Sequence, residues 1–152
     1  MIKILFVCHG NICRSPMAEF VFKDIIRKRD MAERFFVESA ATSREEIGNP
    51  IYPPVRKVLT DMGIPFDSGK RARQVTLTDY DNFDYIVCMD GYNIRNIGRI
   101  IPRDPAKKIS KLLDFTDRPR DVADPWYTGD FLTTKQDVTE GCEALLKHIL
   151  KK

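Results

Sequence analysis

Apolar side chains fill residues Ile2 to Cys8 almost without a break, and the run stops at a glycine-containing loop, His9–Arg14. A continuous run of this kind predicts a strand buried on both faces of a parallel sheet. Ser15-Pro16-Met17-Ala18-Glu19 then reads as a helix start, with a capping-type serine, a proline in the first turn and a glutamate soon after. Ala18, Val21, Phe22, Ile25 and Ile26 continue at helical spacing towards Arg27–Arg29. The chain therefore opens with a strand–loop–helix unit.

The alternation continues. Phe35–Ala40 predicts a second strand that carries Ser39, and a polar loop runs from Thr42 to Pro54. Val55–Met62 predicts a short helix stopped by Gly63, and Thr78–Phe83 one helical turn capped by Thr78. Asp84–Met89 is a third buried strand, Asn93–Ile101 a helix closed by Pro102, and Lys108–Leu113 a weaker fourth strand. Asp117–Gly129 is a loop rich in Asp and Pro; Thr134–Leu150 is a final helix with Val138, Cys142, Leu145, Leu146 and Ile149 on one stripe. Strands alternating with helices imply an α/β fold, a single domain over 1–152 with a four-stranded parallel sheet flanked by helices on both faces. Ligands of such sheets bind beyond the carboxyl ends of the strands, where the loop His9–Arg14 lies.

Composition narrows the function. Lys plus Arg number 25 against 22 Asp plus Glu, and this net charge of +3 is too small for a dedicated nucleic-acid binder. No apolar stretch approaches the roughly 20 residues that span a bilayer, and the N-terminus lacks a signal-peptide cleavage site. The expectation is a cytoplasmic protein with neither nucleic acid nor membrane as a partner. Four cysteines, Cys8, Cys13, Cys88 and Cys142, are then free, buried, metal-binding or catalytic rather than paired in disulfides. With only His9 and His148 beside them, a structural zinc site lacks ligands, and no metal or other cofactor is called for.

The strongest chemical signal is Cys8-His9-Gly10-Asn11-Ile12-Cys13-Arg14-Ser15. Backbone N–H groups of a tight loop entering a helix N-terminus form an anion nest. Gly10 and Asn11 tolerate the positive φ that such loops often need. Arg14 can add a planar two-pronged clamp for a tetrahedral oxyanion. The same positive field favours the thiolate of Cys8; comparable settings bring a cysteine pKa from about 8.5 to roughly 3.5–7.5.

This loop resembles that of the low-molecular-weight protein tyrosine phosphatases. The resemblance extends over nearly the whole chain, through Arg14-Ser15-Pro16-Met17-Ala18-Glu19, Ser39-Ala40-Ala41-Thr42-Ser43, Ala72-Arg73-Gln74-Val75, Phe83-Asp84-Tyr85-Ile86-Val87-Cys88-Met89-Asp90 and Asp124-Pro125-Trp126-Tyr127. It implies a flavodoxin-like phosphatase fold and hydrolysis of phosphotyrosine in a protein or peptide, with phosphate and vanadate as competing oxyanions. By the same resemblance Cys8 is the nucleophile, Asp124 the general acid and base, and Arg14 with the loop His9–Arg14 the phosphate cradle. Asn11, Ser15 and Ser39 support that loop, Trp126 and Tyr127 wall the cleft, and Cys13 captures an oxidised Cys8 as a disulfide.

Two positions depart from the family. Glu45 stands where relatives carry an aromatic or bulky rim residue, so that one wall is lost or passes to Tyr52, and a carboxylate there prefers substrates with basic flanks. Lys70 stands where many relatives place a histidine, which alters the support of Asn11 because lysine accepts no hydrogen bond. Protein-arginine phosphatases remain an alternative, although they tend to carry threonine where this chain has Ile12. Arsenate reductases need further cysteines after the third strand, and a binding module without catalysis needs neither Cys8 nor Asp124. Cys88 and Cys142 read as core, His148 as helix surface, Lys70–Arg73 as a solvated face, and His9 has no assigned chemistry. Oligomeric state is not encoded in these patterns.

Overall fold

The computed structural model describes all 152 residues. The strands β1 (Ile2–Cys8), β2 (Phe35–Ala41), β3 (Tyr85–Cys88) and β4 (Ile109–Lys111) form one parallel sheet in the order β2-β1-β3-β4. Between and after them come the helices α1 (Arg14–Lys28), α2 (Pro53–Asp61), α3 (Leu77–Asn82), α4 (Gly91–Ile97), α5 (Pro125–Thr128) and α6 (Phe131–Leu150).

The unbroken apolar run of β1 follows from its central place. Successive residues of a strand face opposite sides, and both sides of β1 are covered. Ile4, Phe6 and Cys8 join the larger core with Met17, Phe22, Val138, Cys142 and Leu145 of α1 and α6. Leu5 and Val7 join a smaller core with Val75, Phe83, Ile86, Cys88 and Ile97 on the other face. Cys88 and Cys142 are core residues, as the apolar pattern implies, and burial pushes both thiols up from the ordinary cysteine value. With β2 on one side of β1 and β3 on the other, the strand order reverses at β1. Such a reversal opens a crevice at the carboxyl ends, and the loop after β1 begins there.

Helix boundaries differ from expectation where caps decide them. α1 begins at Arg14, and Ser15 is inside the helix rather than its cap. Thr76, not Thr78, caps α3, in a capping box with Asp79. Asp130 caps α6 by accepting from Thr133 N at 3.0 Å, so the helix starts three residues ahead of the expected Thr134. The loop Asp117–Gly129 contains the short helix α5, closed by Gly129 at φ +71°. α4 ends at Ile97 and the chain reaches Pro102 through turns.

β4 stops at Lys111 because Leu112–Phe115 turns into a 3-10 helix, with Asp114 accepting from Lys111 N at 3.4 Å. The turn drives Leu112 and Leu113 into the larger core. Leu112 packs directly on Gly141 of α6, where a Cβ would lie 2.8 Å from Leu112 Cδ2. An exposed mid-helix Gly→Ala exchange stabilises by about 0.5–1 kcal/mol. Gly141→Ala should reverse that sign and cost about 1–3 kcal/mol through overpacking. Urea unfolding measures it, and a midpoint equal to or above wild type would contradict this packing.

Candidate active site

Asn11 sits at φ +59°, in the left-handed region that asparagine enters more readily than most residues. Its side chain holds that conformation from three directions. Nδ2 donates to Ser15 Oγ at 2.8 Å and to Ser39 Oγ at 3.0 Å, while Oδ1 accepts from Arg73 N at 3.2 Å. Its backbone N donates to Cys8 Sγ at 3.3 Å. Gly10 does not need positive φ; it is small because a Cβ there would lie 3.3 Å from Glu46 Cγ.

The donors and acceptors set the direction of the network. Both amide protons of Asn11 go to hydroxyl oxygens, so each serine must give its own proton elsewhere. Ser39 Oγ donates to Glu19 Oε1 at 2.6 Å. Ser15 Oγ lies 3.1 Å from Cys8 Sγ and 3.5 Å from Ala40 O, so the sulfur is its nearer acceptor. The sulfur of Cys8 is thus placed to accept from Ser15 and from Asn11 N.

Glu19 is buried, and Lys23 Nζ reaches its Oε2 at 2.7 Å. Lys70 completes the support in a way the missing histidine does not suggest. Its Nζ donates to Ser39 O at 3.1 Å and lies 3.8 Å from Glu19 Oε1, with no hydrogen bond to Asn11. Burial lowers the Lys70 pKa, with the Glu19 charge opposing. Within Lys70–Arg73 only Arg71 is exposed, so the segment is not simply a solvated face. Lys70 backs β2, Ala72 is buried, and Arg73 donates through its backbone N to the Asn11 amide oxygen and through Nη1 and Nη2 to the Asp79 carboxylate at 2.9 and 3.1 Å.

Arg14 is 2% exposed, and a charge so buried must be paired. Nη1 donates to Asp90 Oδ2 at 2.6 Å and to Val122 O at 2.8 Å; Nη2 reaches Asp124 Oδ2 at 3.4 Å. Burial acts against the charge, but the Cys8 sulfur and the carboxylates of Asp90 and Asp124 outweigh it and hold the guanidinium above the ordinary arginine value. Asp90 also caps α4, its Oδ1 accepting from Asn93 N at 2.8 Å. Asn93 returns the bond, with Oδ1 accepting from Met89 N and Asp90 N at 3.0 and 3.2 Å.

Asp124 is the N-cap of α5, with Oδ1 accepting from Trp126 N at 3.0 Å and Oδ2 turned to Arg14. The same short helix presents Trp126, 53% exposed, and Tyr127, 84% exposed, at the mouth of the cleft above Cys8 and Arg14. Tyr52 does not form the opposite wall. It supports Trp126 from behind, ring centroids 4.9 Å apart, and is itself flanked by Phe131 at 6.1 Å. The opposite rim consists of Glu45 and Glu46 with His9, whose Nε2 lies 2.7 Å from Glu45 Oε2. His148, expected on the surface, is half-buried with its ring 4.9 Å from that of Phe115.

The structure thus brings Cys8, the loop His9–Arg14, Asp124, Glu45, Trp126 and Tyr127 to one cleft, with Ser15 and Ser39 behind it. Sequence reasoning missed Asp90, Glu19, Arg73 and Glu46. Asp90 had a readable signal, an aspartate directly after a buried strand with asparagine three residues on, which is a capping pattern. The floor is cationic and donor-rich, a sulfur lies in it, and a carboxylate overhangs it. Such a site can hold a tetrahedral oxyanion against a nucleophile and pass a proton at the same place. Asp90→Asn keeps an acceptor for the α4 cap and removes the charge that pairs Arg14. It should cost about 3 kcal/mol in urea unfolding and weaken vanadate binding at least tenfold. Unchanged vanadate affinity would show that Asp90 does not hold the clamp.

A family profile described as "Low molecular weight phosphotyrosine protein phosphatase" matches residues 3–152. The low molecular weight protein-tyrosine-phosphatase YfkJ of Bacillus subtilis is 42% identical over 153 residues, covering 99% of this chain and 97% of its own. Its crystal structure superposes with a TM-score of 0.94 over 99% of this chain and 96% of that one. The human low molecular weight phosphotyrosine protein phosphatase is 40% identical over 150 residues, 95% of this chain and 94% of its own. The crystal structure of DARP, a drosophila arginine phosphatase, is 29% identical with a TM-score of 0.86, covering 97% of this chain and 98% of that one.

Proposed function

The chain belongs to the low-molecular-weight phosphotyrosine protein phosphatase family, and we propose that it hydrolyses phosphotyrosine in proteins, with Cys8 as nucleophile and Asp124 as general acid and base. The observation that carries this reading is the convergence of Cys8 Sγ, the Arg14 guanidinium and the Asp124 carboxylate on one cleft walled by Trp126 and Tyr127. Arg14 and the loop N–H groups hold the phosphate and stabilise the charge on its equatorial oxygens. Cys8 Sγ attacks phosphorus in line; the S–P bond forms as the bond from phosphorus to the phenolic oxygen breaks. Asp124 gives its proton to that oxygen. Tyrosine has a pKa of about 10, so its phenolate leaves poorly without the proton. Water then attacks the phosphocysteine, Asp124 takes the proton back, the S–P bond breaks, and phosphate leaves.

The aromatic pair on α5 and the apolar side chain of Ile12 at the mouth suit a flat phenyl ring. They favour phosphotyrosine over phosphoarginine. The two remaining cysteines offer no relay for arsenate reduction, since Cys88 and Cys142 are buried in different cores. Phosphate and vanadate compete for the same cradle. Four unpaired thiols fit a reducing compartment, and we place the enzyme in the cytoplasm.

Cys13 supports reversible oxidation. Burial, then the charges of Cys8 and Asp124, push its thiol up to about 12, so it is a protonated bystander in the resting enzyme. Peroxide converts the Cys8 thiolate to a neutral sulfenic acid and releases hydroxide. That step removes one of the charges opposing ionisation of Cys13. The Cys13 thiolate then attacks the Cys8 sulfur, a disulfide forms, and the sulfenic oxygen leaves as hydroxide.

Three experiments test this function. Asp124→Ala should slow aryl phosphates with poor leaving groups by roughly 10²–10⁴-fold and those with good leaving groups far less, in kcat measured across a leaving-group series; an equal slowing would remove the acid role. Phosphoserine and phosphoarginine peptides compared in the same assay should turn over more slowly than phosphotyrosine. After peroxide treatment and then thiol reductant, wild type should regain activity while Cys13→Ala stays inactive, and equal recovery would remove Cys13 from the redox step.

A further inference from the structure

The cleft has two unlike rims. On one side α5 presents Trp126 and Tyr127; on the other the chain after β2 presents the carboxylates of Glu45 and Glu46. Both carboxylates are held in place. The His9 imidazole, which belongs to the phosphate loop itself, ties Glu45 across the mouth at 2.7 Å. Asn49 Nδ2 donates to Glu46 Oε2 at 2.6 Å, and the Glu46 stem packs on Gly10.

Neither carboxylate has a lysine or arginine partner. The His9 imidazole is the only side-chain partner of Glu45, whose side chain is 69% exposed. Arg44, the nearest cation in sequence, turns away and donates through Nε to Gln74 Oε1 at 3.2 Å. The strongly cationic group of the cleft, Arg14, lies at its floor and is engaged by Asp90 and Asp124. A phosphotyrosine seated with its phosphate on that floor therefore places its neighbouring residues beside an uncompensated anionic rim, although the chain as a whole carries a net charge of +3.

Resting on the phosphatase reading above, we infer that Glu45 and Glu46 select phosphotyrosine flanked by lysine or arginine, the cation of the substrate pairing with the rim while the phosphate sits in the loop. Two charges 4 Å apart near a protein surface attract by about 1–4 kcal/mol before screening and ordering costs, and exposed pairs retain only a small part of that. The rim is exposed, so it works by modest electrostatic bias that salt weakens, and it acts on substrate association more than on the chemical step.

Two phosphotyrosine peptides test this, identical except for lysine or glutamate on both sides of the phosphotyrosine. Wild type should favour the lysine peptide about 5- to 20-fold in kcat/KM at low salt, mainly through KM, with the ratio shrinking in high salt. In Glu45→Gln/Glu46→Gln the ratio should fall to near one, and in Glu45→Lys/Glu46→Lys it should invert. Each ratio is taken within one protein, so any loss of active enzyme cancels. A wild-type ratio near one, or one that both variants leave unchanged, overturns the inference while the phosphatase reading stands. Failure to hydrolyse either peptide or an aryl phosphate overturns both.

Discussion

A guanidinium buried to the degree of Arg14 is tolerable only if its charge is answered, and much of the site is arranged around that answer. Asp90 supplies one carboxylate from the end of β3, Val122 a carbonyl, and Asp124 a second carboxylate from the start of α5. These three groups come from two distant parts of the chain, so pairing Arg14 also fixes the carboxylate that overhangs the sulfur. Asp90 serves twice, since its other oxygen caps α4. The electrostatic need of one side chain thus ties the end of β3 and the 122–128 segment to the loop after β1.

The sulfur has its own scaffold on the opposite side. Asn11 donates to Ser39, which passes its own proton to Glu19, and to Ser15, which is left facing Cys8, while Asn11 itself holds the left-handed turn. This support starts from α1 and β2, elements that pack on β1 in any case. The central position of β1 accounts for both scaffolds. It brings β2 to one flank and β3 to the other, and its end is the point from which both can be reached.

Much of this was legible in the sequence, for physical reasons. A strand covered on both faces writes a continuous apolar run, and β1 did so; Cys8 through Arg14 announced itself by residue type and spacing. Boundaries were less legible where a side chain several residues away decides them, as Thr76, Asp114 and Asp130 do. Long-range pairs were the hardest. Nothing local marks Lys70 as the partner of Ser39 and Glu19, or Arg73 as the donor to Asn11, since those pairings exist only once β2 and the 70–73 segment lie side by side. Of the two alternatives at the rim, a lost wall or one supplied by Tyr52, the structure excludes the second, since Tyr52 lies one layer behind, under Trp126.

The loop after β1 is a cradle for a tetrahedral dianion, with the Cys8 sulfur and Arg14 at its floor. A crystal structure with vanadate tests it most directly. Vanadium should be bonded to Cys8 Sγ, with its equatorial oxygens on the loop N–H groups and Arg14 and its apical oxygen towards Asp124. Vanadate bound elsewhere, or a loop left empty at saturating vanadate with the sulfur turned into the core, would contradict it.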